Sequence, residues 1–266
     1  MSEIGDLVRG HYARSDLEQA ILTALEEAGF DTSAPAAHDL FPIDQHHAGG
    51  AQSTRYLLEQ LELGPNTRLL DIGCGIGGPS RMAAALFSCP VVGIDLSQDF
   101  VNAGRRLTER VGLDGLVKLT VAAGGDLSFP DESFERAMMI HVGMNIPDKP
   151  AVFAEVCRVL QPGVRFGVYD QMRIGNAIPR YPLPWAEDER TSFLESPDSY
   201  AEMLQAAGFV VERTEDRAAA MSTPPERQRL NPSTIFGQHF VERIENNLAA
   251  MRAGVLAPVV ILARAD

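Results

Sequence analysis

Cysteine is scarce in this chain: Cys74, Cys89 and Cys157 are the only three among 266 residues. An odd count without CxxC or Cys/His spacing argues against a disulfide framework or a structural zinc site; no metal is expected, and a reducing cytoplasm fits. Positive charge is also short, with 23 Lys and Arg against 36 Asp and Glu and a formal net charge of −13. Such a surface repels phosphate backbones, so nucleic-acid binding is not expected. No apolar run approaches the roughly 20 residues that cross a bilayer. The opening MSEIGDLVRGHYARSDLEQA carries acids and lacks the apolar stretch of a secretion signal. A soluble, cytoplasmic protein handling small molecules, without membrane or nucleic-acid partners, is the expectation. The composition is 45% hydrophobic and 22% charged, enough for one large α/β domain or a domain plus a cap. The oligomeric state is open, and a homodimer is compatible with the long C-terminal helix.

Residues 1–50 read as a helical cap with a loop, serving as a substrate lid. Ser15 and Glu18 have capping-box spacing ahead of a helix whose Leu17, Ile21, Leu25 and Ala28 share one face, and Gly29 is a plausible stop. From about residue 51 to 266 the pattern is strand–helix alternation. RLLDIG (68–73), VVGIDL (91–96), VKLTVAAG (117–124), RAMMIHV (136–142), RFGVYDQM (165–172), FVVERTED (209–216) and APVVILARA (257–265) are the strands. Helices are expected at 79–87, 98–111, 150–160, after the Ser196-Pro197 cap, and near 232–252. Continuous apolar strands separated by helices predict an α/β fold: a Rossmann-like, seven-stranded, mostly parallel sheet covered on both faces. The segment 173–195, with three prolines, reads as an excursion over the C-terminal sheet edge, where such folds bind ligands.

The central feature is Asp71-Ile72-Gly73-Cys74-Gly75-Ile76-Gly77-Gly78, after a strand and before a helix. Glycines let the backbone turn sharply and approach a ligand, and the helix N-terminus behind them offers free N–H groups. The spacing alone also satisfies GxGxxG, with Asp95 lying 20 residues after Gly75, so a nicotinamide oxidoreductase is a competing reading. Asp71 favours another ligand: a carboxylate at the loop mouth repels a pyrophosphate but suits an ammonium and a sulfonium. Asp95 ends the second strand, where it can accept hydrogen bonds from two ribose hydroxyls. Ser97 is the better helix cap.

These residues resemble the class I S-adenosylmethionine-dependent methyltransferases, whose first motif is D/E-x-G-x-G-x-G. Asp71, Gly73, Gly75 and Gly77 match it, and Asp95 matches the acid after strand two. FPDESFE (129–135), MNIPDK (144–149) and Gln161-Pro162-Gly163 also look like that family. The resemblance implies S-adenosylmethionine as cofactor, held by Asp71, Gly73, Cys74, Gly75, Gly77, Asp95, Leu96 and His141. Many relatives carry an adenine-contacting Asp where this chain has Ala123. Either Asp126 takes that part, or backbone groups around Gly124 and Gly125 do.

Within the family, Asp44-Gln45-His46-His47 ahead of Gly-Gly resembles a small-molecule subgroup near the sarcosine/dimethylglycine and quinone-type methyltransferases. That implies transfer to an amine nitrogen, or to an aromatic or isoprenoid oxygen or carbon. His47 and His141 are candidate proton acceptors, since imidazole titrates near neutrality. Gln45, His46, Arg173, Tyr181 and Trp185 are candidate substrate contacts, with Arg55 and Arg180 as further cations. A non-catalytic S-adenosylmethionine-binding protein is the second competing reading.

Overall fold

The computed structural model describes residues 17–45, 47–222 and 239–266. Seven strands form one sheet: β1 (Leu69–Ile72), β2 (Val91–Asp95), β3 (Val117–Val121), β4 (Arg136–Ile140), β5 (Arg165–Arg173), β6 (Phe209–Asp216) and β7 (Leu256–Ala265). Their order is β3-β2-β1-β4-β5-β7-β6. The first five run parallel, with Leu70 beside both Val92 and Ala137, whereas β7 is antiparallel to β5 and β6, with Tyr169 opposite Val260. The seven-stranded, mostly parallel sheet is the expected one. Chain reversal at β1, where β2 lies on one side and β4 on the other, opens the crevice that such sheets use for ligands.

The helices follow from side-chain alternation along the strands. Leu70 and Ile72 face one layer with Val152, Phe153 and Val156 of α6 (Lys149–Val159) and Leu204 of α7 (Pro197–Ala206). Leu69 faces the other, with Leu57 and Leu58 of α3 (Gly50–Gln60), Met82 of α4 (Gly78–Phe87) and Val101 of α5 (Gln98–Arg110). Predicted caps hold: Ser97 Oγ accepts Phe100 N–H and Ser196 Oγ accepts Ser199 N–H. The last helix, α8 (His239–Arg252), falls within the expected stretch, whose residues 232–238 lie outside the described residues.

The cap packs onto the sheet domain. In α1 (Leu17–Glu27), Leu17, Ile21, Ala24 and Leu25 are buried against Ile76 of the glycine loop and Ala103 and Leu107 of α5. Glu18 pairs with Arg106 and Arg110; the Ser15 cap lies outside the described residues. Gly29 ends the helix with φ 85°. A short α2 (Ala37–Leu40) follows and brings residues 41–45 over α4. No helix among the described residues is long and apolar enough to cross a membrane.

Candidate active site

The C-terminal ends of β1, β2, β4 and β5 carry the site. After β1, Gly73, Gly75 and Gly77 all take positive φ, at 69°, 53° and 78°, a region that L side chains avoid. A Cβ on Gly73 would lie 2.3 Å from a Val142 methyl, so this glycine also lets the β1 and β4 loops touch. At the end of β2, Asp95 Oδ2 accepts Gly75 N–H at 2.9 Å and Oδ1 accepts Ser97 N–H at 2.8 Å. Burial pushes its carboxyl up, against the pull of these donors. Beside it Leu96 is exposed.

Asp71 sits elsewhere than expected. It is buried beneath the loop, not at its mouth, with Ser80 Oγ of α4 donating to Oδ2 at 2.6 Å. Burial pushes its carboxyl up to about 7. The alternation of β1 turns residue 71 inward, towards α4, so its visible part is to fasten α4 to β1. Cys74 also turns inward: a Cβ on Gly93 of β2 would lie 2.8 Å from that of Cys74. Its thiol is buried and raised well above its usual range, which leaves only its backbone for a ligand. Past β3, Gly124 and Gly125 form a turn in which Asp126 is exposed.

His141 follows β4 with φ 54°, strained for a residue with a Cβ. Its N–H donates to Tyr169 O of β5 at 2.7 Å, which fixes the backbone, while its buried Nε2 has no partner among the described residues. The His141 ring lies 5.4 Å from that of His47 and 5.0 Å from that of Tyr169. Burial, with His47 next to it, lowers His141 well below the usual histidine range, and burial brings His47 down to about 4. Both are therefore neutral at pH 7. His46 lies outside the described residues.

A chain of hydrogen bonds absent from the sequence reading leads to His47. Arg81 of α4, fully buried, donates from Nη2 to Asp44 Oδ2 at 2.9 Å, and from Nη1 to Ile76 O at 2.7 Å and Thr108 Oγ1 at 3.1 Å. Gln45 Nε2 donates to Asp44 Oδ1 at 2.8 Å, so its Oε1 faces Thr54, whose hydroxyl donates to it at 2.7 Å. His47 Nε2 lies 2.8 Å from Thr54 Oγ1 and its Nδ1 3.1 Å from Ala48 O, so both ring nitrogens are engaged. Gln45 is thus a linker with both ends occupied, not an open substrate contact. Arg81 was missed because a charge within a helix reads as solvent-facing; Ser80 and Thr54 were missed as ordinary small polar residues.

Two other substrate candidates are corrected. Trp185 is buried with Met144, Leu183, Ala186, Ala250 and Leu256, and its Nε1 donates to Ser192 Oγ at 3.0 Å. Tyr181 packs against the same cluster. The excursion folds on itself and on α8, so these rings are its core. Arg173 ends β5 and is exposed, as is Arg55, while Arg180 faces Glu242 at 3.9 Å with both side chains in solvent.

Comparison with known proteins agrees with this arrangement. Residues 70–168 match the family model described as Methyltransferase domain. Phosphoethanolamine N-methyltransferase 1 of Arabidopsis thaliana is 33% identical over 172 residues, which is 64% of this chain and 34% of that protein. A sterol 24-C-methyltransferase of Neurospora crassa is 30% identical over 135 residues, 51% of this chain and 36% of the relative. The chain thus spans about a third of the length of these relatives. Geranyl diphosphate C-methyltransferase from Streptomyces coelicolor, solved with geranyl diphosphate and S-adenosyl-L-homocysteine, superposes with a TM-score of 0.69. The match covers 100% of this chain and 98% of that one at 17% identity, a likeness of fold. These matches give the nicotinamide reading no support. Residues 70–168 thus resemble a methyltransferase domain, and the glycine loop, the acid after β2 and the antiparallel β7 agree with the class I, S-adenosylmethionine-dependent fold.

Proposed function

We propose that the protein transfers the methyl group of S-adenosylmethionine to a small acceptor held over β4 and β5. The observation that carries this reading is Asp95, whose carboxylate closes the glycine loop at Gly75 and retains lone pairs for ribose hydroxyls. The surroundings fit the rest of the cofactor: exposed Leu96 offers an apolar face to a purine, and the three positive-φ glycines bring backbone close to its amino-acid portion. The turn at Gly124, Gly125 and Asp126 would supply the partner of the adenine amino group. When bound, the cofactor supplies an electrophilic methyl on a sulfonium. The chain must orient the acceptor, exclude water and take up a proton.

Residues 1–50 serve as the lid of this site and residues 51–266 as its catalytic body. The Asp44–Arg81 pair docks Asp44 and Gln45 onto α4 and carries His47 to within ring contact of His141. Burial keeps both imidazoles neutral, and with both His47 nitrogens engaged it is His141 Nε2 that is open to a proton. Free thiols at Cys74, Cys89 and Cys157 support a cytoplasmic setting.

The test is incubation with methyl-labelled cofactor and separate panels of amines, phenols and isoprenoid diphosphates. Label moving into the product of one panel supports transfer. Label staying on a tightly bound cofactor in every panel would leave the non-catalytic binder in its place.

A further inference from the structure

The face of β5 that carries Tyr169 continues through Gln171 to Arg173 by strand alternation. It is the α3 face, because a Cβ on Gly167 would meet Leu57 and Leu61. Gln171 is 1% exposed, with Nε2 3.6 Å from Met251 Sδ of α8. A thioether can only accept, so the amide nitrogen belongs there and Oε1 turns away from it. That oxygen finds no donor among the described residues. Asn247 lies one turn before Met251 on the same side of α8, is 8% exposed, and leaves its buried Oδ1 equally without a donor. Buried carbonyl oxygens are ordinarily paired. Two unpaired ones on facing elements, two strand residues from the Tyr169 ring that touches His141, call for a ligand that brings donors.

Resting on the methyltransferase reading above, we infer that Gln171 and Asn247 form the head-group pocket of the substrate and take the two N–H bonds of a primary amine, the methyl acceptor. The two oxygens would engage both N–H bonds and leave the nitrogen lone pair free to attack. The N–C bond then forms as the S–C bond breaks, the bonding pair stays on sulfur, and the alkylammonium so formed gives up one N–H proton to solvent as the product leaves. A phenol offers one donor and a diphosphate none, and the carbonyl oxygens repel an anion. Nor is Arg243 of α8 free to compensate, since it donates to Leu183 O and Ala186 O and pairs with Glu187.

The experiment titrates protein saturated with S-adenosylhomocysteine against ethanolamine, benzylamine, phenol and geranyl diphosphate, for wild type, Gln171→Leu and Asn247→Leu. The expected result is binding of the amines only. Each variant should keep its affinity for S-adenosylhomocysteine, melt at the same or a higher temperature because an unpaired oxygen is gone, and lose about tenfold in amine affinity. Binding of phenol or geranyl diphosphate in place of the amines, no binding of either amine, or amine affinity unchanged in both variants would overturn the pocket. A wild-type protein that fails to bind S-adenosylhomocysteine would instead overturn the methyltransferase reading on which it rests.

Discussion

Asp95 Oδ2 accepts the backbone N–H of Gly75 at 2.9 Å, across the crevice between β2 and the loop after β1. One carboxylate thereby holds the glycine loop closed and, through Ser97 N–H, starts α5. Asp95→Ala removes two charge-assisted bonds and the ribose acceptor, while leaving the core untouched. Cofactor affinity is expected to fall by about ten- to a hundredfold, equivalent to roughly 1.5–3 kcal/mol, with an unchanged far-ultraviolet dichroism spectrum. Calorimetric titration with S-adenosylhomocysteine checks it; full affinity in the variant would remove Asp95 from the site.

The Asp44–Arg81 pair, with both side chains inaccessible, predicts a large stability effect. Arg81→Met leaves Asp44 buried without its partner and orphans Ile76 O, at a cost of about 3–5 kcal/mol. Urea denaturation measures this directly. Arg81→Lys is expected to recover little, because one ammonium cannot reproduce the fork that reaches Asp44, Ile76 and Thr108 together.

Gly78 separates the lid from the cofactor loop. A Cβ there would lie 2.1 Å from Asp44 O, a backbone atom that cannot turn aside. Gly78→Ala should push Asp44 and Gln45 off α4 while the loop glycines stay in place. The expected signature is a kcat lowered at least about tenfold with cofactor affinity nearly intact. Unchanged turnover would mean that residues 44–47 do not complete the site.

Two buried groups tilt stability with pH in opposite directions. Asp170, bonded to Tyr200 Oη at 2.8 Å, is pushed up to about 7 by burial. The folded state therefore holds a proton that the unfolded chain releases, and this contribution fades as pH rises from about 4 to about 7. Asp170→Asn should gain stability relative to wild type as pH increases through that window. His47, lowered to about 4, has the reverse sign: wild type loses stability as pH falls from 6.5 to about 4. His47→Asn should flatten that limb. Denaturation midpoints at a series of pH values test both, and parallel curves for wild type and variants would contradict them.

The sheet was legible because parallel strands covered on both faces are nearly unbroken apolar runs; VVGIDL at 91–96 became β2 at Val91–Asp95. Capping chemistry marked Ser97 and Ser196 for the same local reason. Legibility failed where tertiary context decides. Nothing near Trp185 in the chain shows that Ala250 and Leu256 will enclose it. Asp71 was placed in the right motif but on the wrong side of the loop, since strand phase, not motif identity, turns it towards Ser80. Arg81 becomes a core residue only where Gly104 of α5, lacking a Cβ, lets that helix close on Ile76 of the glycine loop and Asp44 arrives from the lid. Nothing in the run RFGVYDQM shows that α8 will cover Gln171.

The most direct test of the central claim is calorimetric titration of the protein with S-adenosylmethionine, S-adenosylhomocysteine and NADH under one set of conditions. The account predicts micromolar, one-to-one binding of the two sulfur nucleosides and no heat from NADH. Binding of NADH alone would contradict it and return the glycine loop to the dinucleotide reading.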